Sequence, residues 1–326
     1  LYTLSPLSHN LGLGALVTAV AAGGELVIHD LPRGASLVDR LEETSAAFVF
    51  GVPTHAIDLL AEMRARRLRR VGQVRGFRIS GTAAPAQLIA ELMDHGVMPQ
   101  SGYGMTETCS HQYTRPDDPP DRIIATSGRA CDGYELRIWR KDNPDIEAAP
   151  GEIGEIGGRG ASLMLGYFDD QAATEAAFNA AEWFMTGDLG QLDEAGYLRI
   201  TGRKKDVIIR GGRNIHPAPI EALALRHRSV EQAAAFPVAD ARLGERVCLA
   251  VVPAGGATLD PGGIIEHLKA GGVSNFDLPE FILFLTEMPL TASGKIVKRE
   301  LMVWVAEGKV QPHPVRFSQP ATAVEG

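Results

Sequence analysis

Residues 47–51 read Ala-Phe-Val-Phe-Gly and residues 77–80 read Phe-Arg-Ile-Ser. Both are short apolar runs of strand length. Between them, residues 54–70 carry Ile57, Leu59, Leu60 and Met63 on one helical side, with Arg64, Arg66, Arg67, Arg69 and Arg70 gathered at the far end. Basic residues in the last turns complement the helix dipole. The arginine cluster is read as a solvated helix end rather than an anion site. A second helix is expected over 85–95, with Pro85 at its first position. A further short strand is expected upstream, at 25–29. Strand and helix alternate, which predicts a mainly parallel sheet covered by helices.

Downstream of residue 134 the rhythm changes. Residues 135–140, 151–157 and 197–200 are short strands separated by Gly, Pro and Asp turns. They predict a smaller antiparallel sheet or distorted β-barrel. A third pattern follows Gly202: strands at 207–209, 233–237, 246–252 and 281–285, and helices at 217–228, 264–270 and 298–306. The expected fold class is therefore α/β, a partial large domain followed by a small mobile α+β domain. The expected boundaries are 1–203 for the large domain, 204–310 for the small one, and 311–326 for a disordered tail.

Composition narrows the function. The 326 residues carry a net charge of −8. Such a chain is a poor partner for nucleic acid or an anionic membrane. The most apolar stretch, 11–24, is fourteen residues long and contains Thr18, too short to span a bilayer, so no integral membrane segment is expected. Cys109, Cys131 and Cys248 are far apart, which argues against a structural zinc site and for a reducing, cytoplasmic setting. Residue 1 is Leu, and the chain reads as the C-terminal part of a longer one. A Walker A loop fails, because Ile296 follows Gly294-Lys295 and Pro289 stands where the first Gly belongs. Gly160-Ala161-Ser162-Leu163-Met164 fails as a nucleophile elbow at its last position, and HExxH is absent. Gly12-Leu13-Gly14 is read as packing.

Four polar islands remain. Gly102-Tyr103-Gly104-Met105-Thr106-Glu107 offers close backbone approach, a flat aromatic face, a hydroxyl for phosphate and a carboxylate for a hard cation. Its bland alternative is a Gly-rich turn before a helix. Thr186-Gly187-Asp188 places an Asp at a strand end, where it could accept both hydroxyls of a ribose or simply close a β-turn. Gly202-Arg203-Lys204-Lys205-Asp206, followed by Arg210-Gly211-Gly212-Arg213, falls where the pattern changes and reads as a hinge or a solvated charged turn. Ser293-Gly294-Lys295 presents a compact cation from a Gly turn.

Together and in this order, the islands resemble the adenylate-forming superfamily of acyl-CoA synthetases, peptide-synthetase adenylation domains and luciferases. Residues 151–168 match a further segment of that family, and the resemblance runs from about residue 6 to about residue 301. It implies an enzyme that joins a carboxylic acid to AMP using ATP and Mg²⁺, then transfers the acyl group to a thiol. By matching position, Thr106 should contact the α-phosphate and Glu107 the Mg²⁺. Asp188 and Arg203 should bind the ribose. Gly81, Thr82 and Ala83 should line the acyl and adenine pocket, Tyr103 should stack near the adenine, and Ser101, Gly102 and Gly104 should belong to the nucleotide site. Lys295 should bridge acyl carboxylate and phosphate, and His9 should gate the acyl pocket. Lys205 is the implied hinge, and Arg210, Gly211 and Gly212 the implied approach for coenzyme A.

The segments 166–170 and 200–215 look most like short- to medium-chain fatty acid–CoA and cyclohexanecarboxylate–CoA ligases. The stretch 77–108 reads as small and neutral, with no partner for an amino group, which favours a plain carboxylic acid over an amino acid and leaves an aryl acid open. The family's phosphate-clamping loop, which lies upstream of the His9 motif, has no match here, so this piece alone is expected to be inactive. Two alternatives stand beside the acyl-CoA ligase: an adenylation domain that loads a carrier protein, and a truncated nucleotide-binding homologue without turnover. A homodimer is left open.

Overall fold

A computed structural model describes residues 1–32, 35–82, 84–291 and 294–315. The chain divides into two compact units: Leu1–Ile200 with Ala292–Lys295, and Thr201–Thr291 with Ile296–Gly326.

The first unit contains a seven-stranded sheet. Its spatial order is Val27–Ile28, Tyr2–Thr3, Phe48–Gly51, Gly76–Ile79, Met98–Met105, Cys109–Tyr113 and Arg129–Ala130. The pairs from Val27–Ile28 to Met98–Met105 are parallel, and the last two strands add antiparallel. Parallel pairing requires crossovers, and helices Leu37–Glu43, Pro53–Ala65 and Ala86–Asp94 supply them. Their apolar faces bury Leu41, Leu59, Leu60, Met63, Ile89 and Leu92 against Val49, Phe77 and Ile79 of the sheet. The other face receives helix Asn10–Ala22, through Leu11 and Ala15 packed on Phe50 and Val52. Gly12 is the packing residue expected: a Cβ there would lie 2.2 Å from the Pro6 carbonyl oxygen.

The helix expected over 54–70 stops at Ala65. Arg67 adopts a left-handed φ of 54°, which ends the helix before the arginine run is complete. Pro85 is the cap before helix Ala86–Asp94, not its first residue, because its extended backbone precedes the first turn. The smaller sheet runs Leu198–Arg203, Phe184–Leu192, Gly154–Gly160 and Tyr134–Trp139 in that order, and Gly154–Gly160 is antiparallel to both of its neighbours. The strand expected at 151–157 is displaced to Gly154–Gly160, where its glycines clear Trp139 and Tyr134 across the ladder.

The second unit is α+β. Its central hairpin, Val230–Asp240 with Gly244–Pro253, pairs over nearly its whole length. Alternation along Gly244–Pro253 sends Val247, Leu249 and Val251 into one core and Cys248, Ala250 and Val252 into another. Helices Pro217–Ala224 and Pro261–Ala270 contribute Ile220, Ile264, Ile265 and Leu268 to the first core, and helix Lys298–Ala306 contributes Leu301 to the second. The helix expected at 217–228 ends at Ala224. His313–Pro314 pairs antiparallel with Phe281–Ile282, so the start of the expected disordered tail is a strand. Residues 316–326 of that expectation lie outside the described residues. No described helix is long and apolar enough to cross a membrane.

Candidate active site

Gly102–Met105 lies in strand Met98–Met105, and Thr106–Thr108 turns the chain back into Cys109–Tyr113. Thr106 and Glu107 therefore sit at a hairpin tip and not before a helix. The tip is tightly built. Met105 N–H donates to Thr108 Oγ1 at 3.2 Å, and a register shift falls between Tyr103 and Gly104. A Cβ on Gly104 would lie 1.9 Å from the Cys109 carbonyl oxygen, so only glycine fits. Thr106 is exposed and Glu107 half-buried.

The tip is held from a second segment. Met164 N–H donates to the Glu107 carbonyl at 2.7 Å, and Tyr167 O–H donates to Glu107 Oε1 at 3.1 Å. Tyr167 belongs to the quoted 151–168 segment but was given no role by sequence, since nothing in spacing tells which tyrosine reaches a carboxylate sixty residues away. Among the described residues no group of three or more His, Cys, Asp or Glu converges. One anchored carboxylate beside an exposed hydroxyl fits Mg²⁺, which usually takes few protein ligands and completes its shell with water and phosphate. Glu107 would hold the ion, and bound Mg²⁺ would neutralise phosphate charge.

Asp188 lies within strand Phe184–Leu192, not at its end, where the register shifts between Met185 and Leu189. Gly187 takes a φ of 72° there and donates its N–H to Glu155 Oε1 at 3.1 Å. Asp188 N–H donates to Thr186 Oγ1 at 3.1 Å, and Tyr103 O–H donates to Asp188 Oδ2 at 2.9 Å. Two islands 85 residues apart thus meet through a hydrogen bond. Tyr103 is only 6% exposed and packs with Ile138, Ile156 and Leu198. Its hydroxyl is on the Asp188 carboxylate, and its ring meets His111 edge-on at 5.3 Å.

Gly81 has a φ of 100°, and a Cβ there would lie 3.3 Å from Lys295 Cε. Gly294, at φ 81°, turns the chain beside Val52 and Thr54. His9 caps helix Asn10–Ala22 by accepting from Leu11 N–H through Nδ1 at 3.2 Å. Burial and the nearby Lys295 ammonium lower the His9 pKa. Lys295, Gly81 and His9 are therefore brought together. Ser101 is buried, with its N–H on Thr114 Oγ1, and Thr82 is exposed. Ala83 lies outside the described residues.

In the second unit, Lys205 lies in the single turn Lys204–Asp206, and Arg203 ends the preceding strand. Gly211 and Gly212 take φ 56° and 82° in an exposed turn. Arg210 is engaged within its own unit: its Nε lies 2.5 Å from the fully buried Glu280 carboxylate and its Nη1 donates to the Phe276 carbonyl.

The stretch 77–108 is not neutral. Arg78 is 5% exposed, with its guanidinium 4.7 Å from the centre of the Tyr113 ring. His111 is 2% exposed and stacks on Tyr134 at 4.0 Å. Neither of its ring nitrogens has a hydrogen-bond partner among the described residues. Burial, with a smaller contribution from Arg78, lowers its pKa to about 4, and burial does the same to His55. The folded state therefore stays neutral at these histidines where the unfolded chain takes up protons. Their stabilisation is complete above about pH 6.5 and is lost as pH falls toward 4, at about 1.4 kcal/mol per pH unit for each. Denaturant unfolding followed from pH 7 to pH 5 is expected to show this slope. His111→Phe, which keeps an aromatic ring on Tyr134, is expected to remove about half of it.

The Thr106–Glu107 hairpin tip, the Tyr103–Asp188 contact and the Lys295–Gly81–His9 cluster thus stand on one α/β unit. The chain belongs to the AMP-binding enzyme family, whose model matches residues 1–168, while residues 219–295 match the AMP-binding enzyme C-terminal domain. It is 33% identical to the medium-chain fatty-acid–CoA ligase of Escherichia coli K12, over 90% of this chain and 52% of that protein. It is 36% identical to the indoleacetate–CoA ligase of Aromatoleum aromaticum, over 93% of this chain and 59% of that protein. The solved structure of Bacillus subtilis o-succinylbenzoate coenzyme A synthetase with ATP and magnesium superposes with a TM-score of 0.78 at 28% identity, covering 92% of this chain and 61% of that one. The chain thus spans about half to three-fifths of the length of these proteins.

Proposed function

We propose that the full protein containing this chain is an AMP-forming acid–thiol ligase: it activates a small or medium carboxylic acid with ATP and passes the acyl group to coenzyme A. The observation that carries this reading is Lys295 against Gly81 and close enough to His9 to lower its pKa. Adenylation is an in-line substitution at phosphorus, in which catalysis is chiefly positioning and charge neutralisation. Lys295 supplies a fixed cation where carboxylate and phosphate converge. Thr106 donates to the α-phosphate from the hairpin tip, and Glu107 holds Mg²⁺ while Tyr167 fixes its carboxylate. Asp188, oriented by the Tyr103 hydroxyl, accepts from the ribose hydroxyls; the family resemblance assigns Arg203 to the ribose as well. Gly81, Thr82, Ala83, Ser101, Gly102 and Gly104 line the nucleotide and acyl site. His9 gates the acyl pocket from its capping position.

For thiol transfer, the exposed Gly211-Gly212 turn gives coenzyme A a close backbone approach. Arg210, paired with Glu280, acts by holding that turn. The large domain is assigned to 1–203 and the small one to 204–310, with the change between half-reactions at Lys205. Replacing Lys205 by Pro is then expected to leave ATP–pyrophosphate exchange within about twofold while lowering acyl-CoA formation roughly tenfold or more, since Pro fixes φ and removes a donor. Equal loss of both half-reactions would remove the hinge assignment. The three free cysteines support a reducing, cytoplasmic location. Homodimer formation is tested by light scattering.

The decisive experiment is ATP–pyrophosphate exchange by the full-length protein with a panel of acids, followed by AMP release on adding coenzyme A or a carrier protein. Exchange followed by coenzyme A-dependent AMP release supports the proposal. Release only with a carrier protein makes it a loading domain, and nucleotide binding without exchange makes it a non-catalytic homologue.

A further inference from the structure

Arg78 is a buried cation without a counter-charge among the described residues. It is 5% exposed and forms no ion pair with a described residue. Among the described residues, no acceptor takes a hydrogen bond from its guanidinium, which lies over the Tyr113 ring. Burial lowers its pKa to about 10, so it remains charged at neutral pH. A buried charge without a partner is costly, and proteins seldom keep one that nothing answers.

Its position says what answers it. Arg78 is the register partner of Phe50 on one neighbouring strand and of Gln100 on the other. Register partners share a sheet face, and Phe50 packs on Leu11 and Ala15 of the helix that His9 caps. Arg78 therefore lies on the His9 side of the sheet. Its Nη2, Cζ and Nε would be 2.6, 2.7 and 2.8 Å from a Cβ on Gly102. The guanidinium fills the room that this glycine leaves, and Gly102 itself is only half-buried. Three residues along the same strand line, roughly 10 Å of extended backbone, Gly81 meets Lys295. Two cations thus stand along one edge of the proposed acyl site: one for the reacting carboxylate, and one farther in.

We propose that Arg78 is a specificity-determining residue that pairs with a second carboxylate, so that the preferred substrate is a short dicarboxylic acid activated at one end. This rests on the acid-activating reading above and narrows its substrate class. A guanidinium suits the role because its fork matches carboxylate geometry in a bidentate pair. An unbranched fatty acid of the same length would leave Arg78 buried and unanswered, a penalty that rejects it strongly.

The test compares diacids with monoacids of equal carbon number, from four to eight, in ATP–pyrophosphate exchange by the full-length protein. Wild type is expected to favour the diacid by about 100-fold in kcat/KM. Arg78→Leu is expected to reverse that order by losing the diacid and gaining the monoacid. Arg78→Lys, which retains the charge, is expected to keep a reduced diacid preference. The wild-type panel needs no variant, so a variant that misfolds leaves the test intact. A wild type that prefers the monoacid overturns the proposal. So does an Arg78→Leu protein that raises the KM for ATP equally with every acid, which would place the guanidinium on the nucleotide. Exchange with no acid at all would instead defeat the acid-activating reading.

Discussion

Lys295→Ala is expected to slow acyl-adenylate formation by about 10²–10³-fold, the usual effect of removing one positioned charge from a transition state. Its side chain is placed by two constraints. Gly294 turns at φ 81° beside Val52 and Thr54, and the Lys295 side chain runs against Gly81, where a Cβ would come within 3.3 Å. Nothing in that contact holds either core together, so the fold should survive the loss. Single-turnover assays separate the steps: pyrophosphate release falls, while coenzyme A attack on a supplied acyl-adenylate stays within about threefold. Arg at 295 should rescue poorly, because a planar fork is larger than an ammonium and delivers its charge differently. A fall of less than tenfold would remove Lys295 from the adenylation step.

Gly104→Ala is expected to destabilise the first unit by about 3–5 kcal/mol, the range reserved for substitutions that force backbone apart. The added Cβ would lie 1.9 Å from the Cys109 carbonyl oxygen and 2.8 Å from Ser110 Cα. These are backbone atoms across a hairpin, so no side chain can swing away. Cys109 is already left-handed at φ 57°, leaving the turn little room to relax. Opening the hairpin also displaces Thr106 and Glu107, so pyrophosphate exchange should disappear even in whatever fraction folds. Gly14→Ala is the control. It lies in helix Asn10–Ala22 with nothing within 4 Å of the added methyl, and should change stability by no more than about 1 kcal/mol, in the stabilising direction. Denaturant midpoints for the two variants measure the contrast.

Much of this was legible in the sequence because its signals are local. Residues 47–51 and 77–80 are apolar runs flanked by periodic helices, and the islands at 102–107 and 186–188 are short strings of distinctive side chains. What escaped is non-local. The antiparallel strand Cys109–Tyr113 is polar and follows a tight turn, so the hairpin tip resembled the start of a helix. The bond from Tyr103 to Asp188 depends on a bulge that sequence does not announce. Arg78 looked like one charge in an apolar strand. Only the register of the sheet shows that it shares a face with Phe50 and fills the space beside Gly102.

Strand Gly244–Pro253 has a consequence for how the second unit comes apart. Odd residues from Val247 to Val251 belong to one core and even residues from Cys248 to Val252 to the other. It is a party wall between two rooms. Stripping the helices from one side exposes the wall itself, and the strand then loses the packing that keeps it straight for the room behind. Neither half can serve as a refuge for the other, so the unit has no stable half-built form and comes down as one piece.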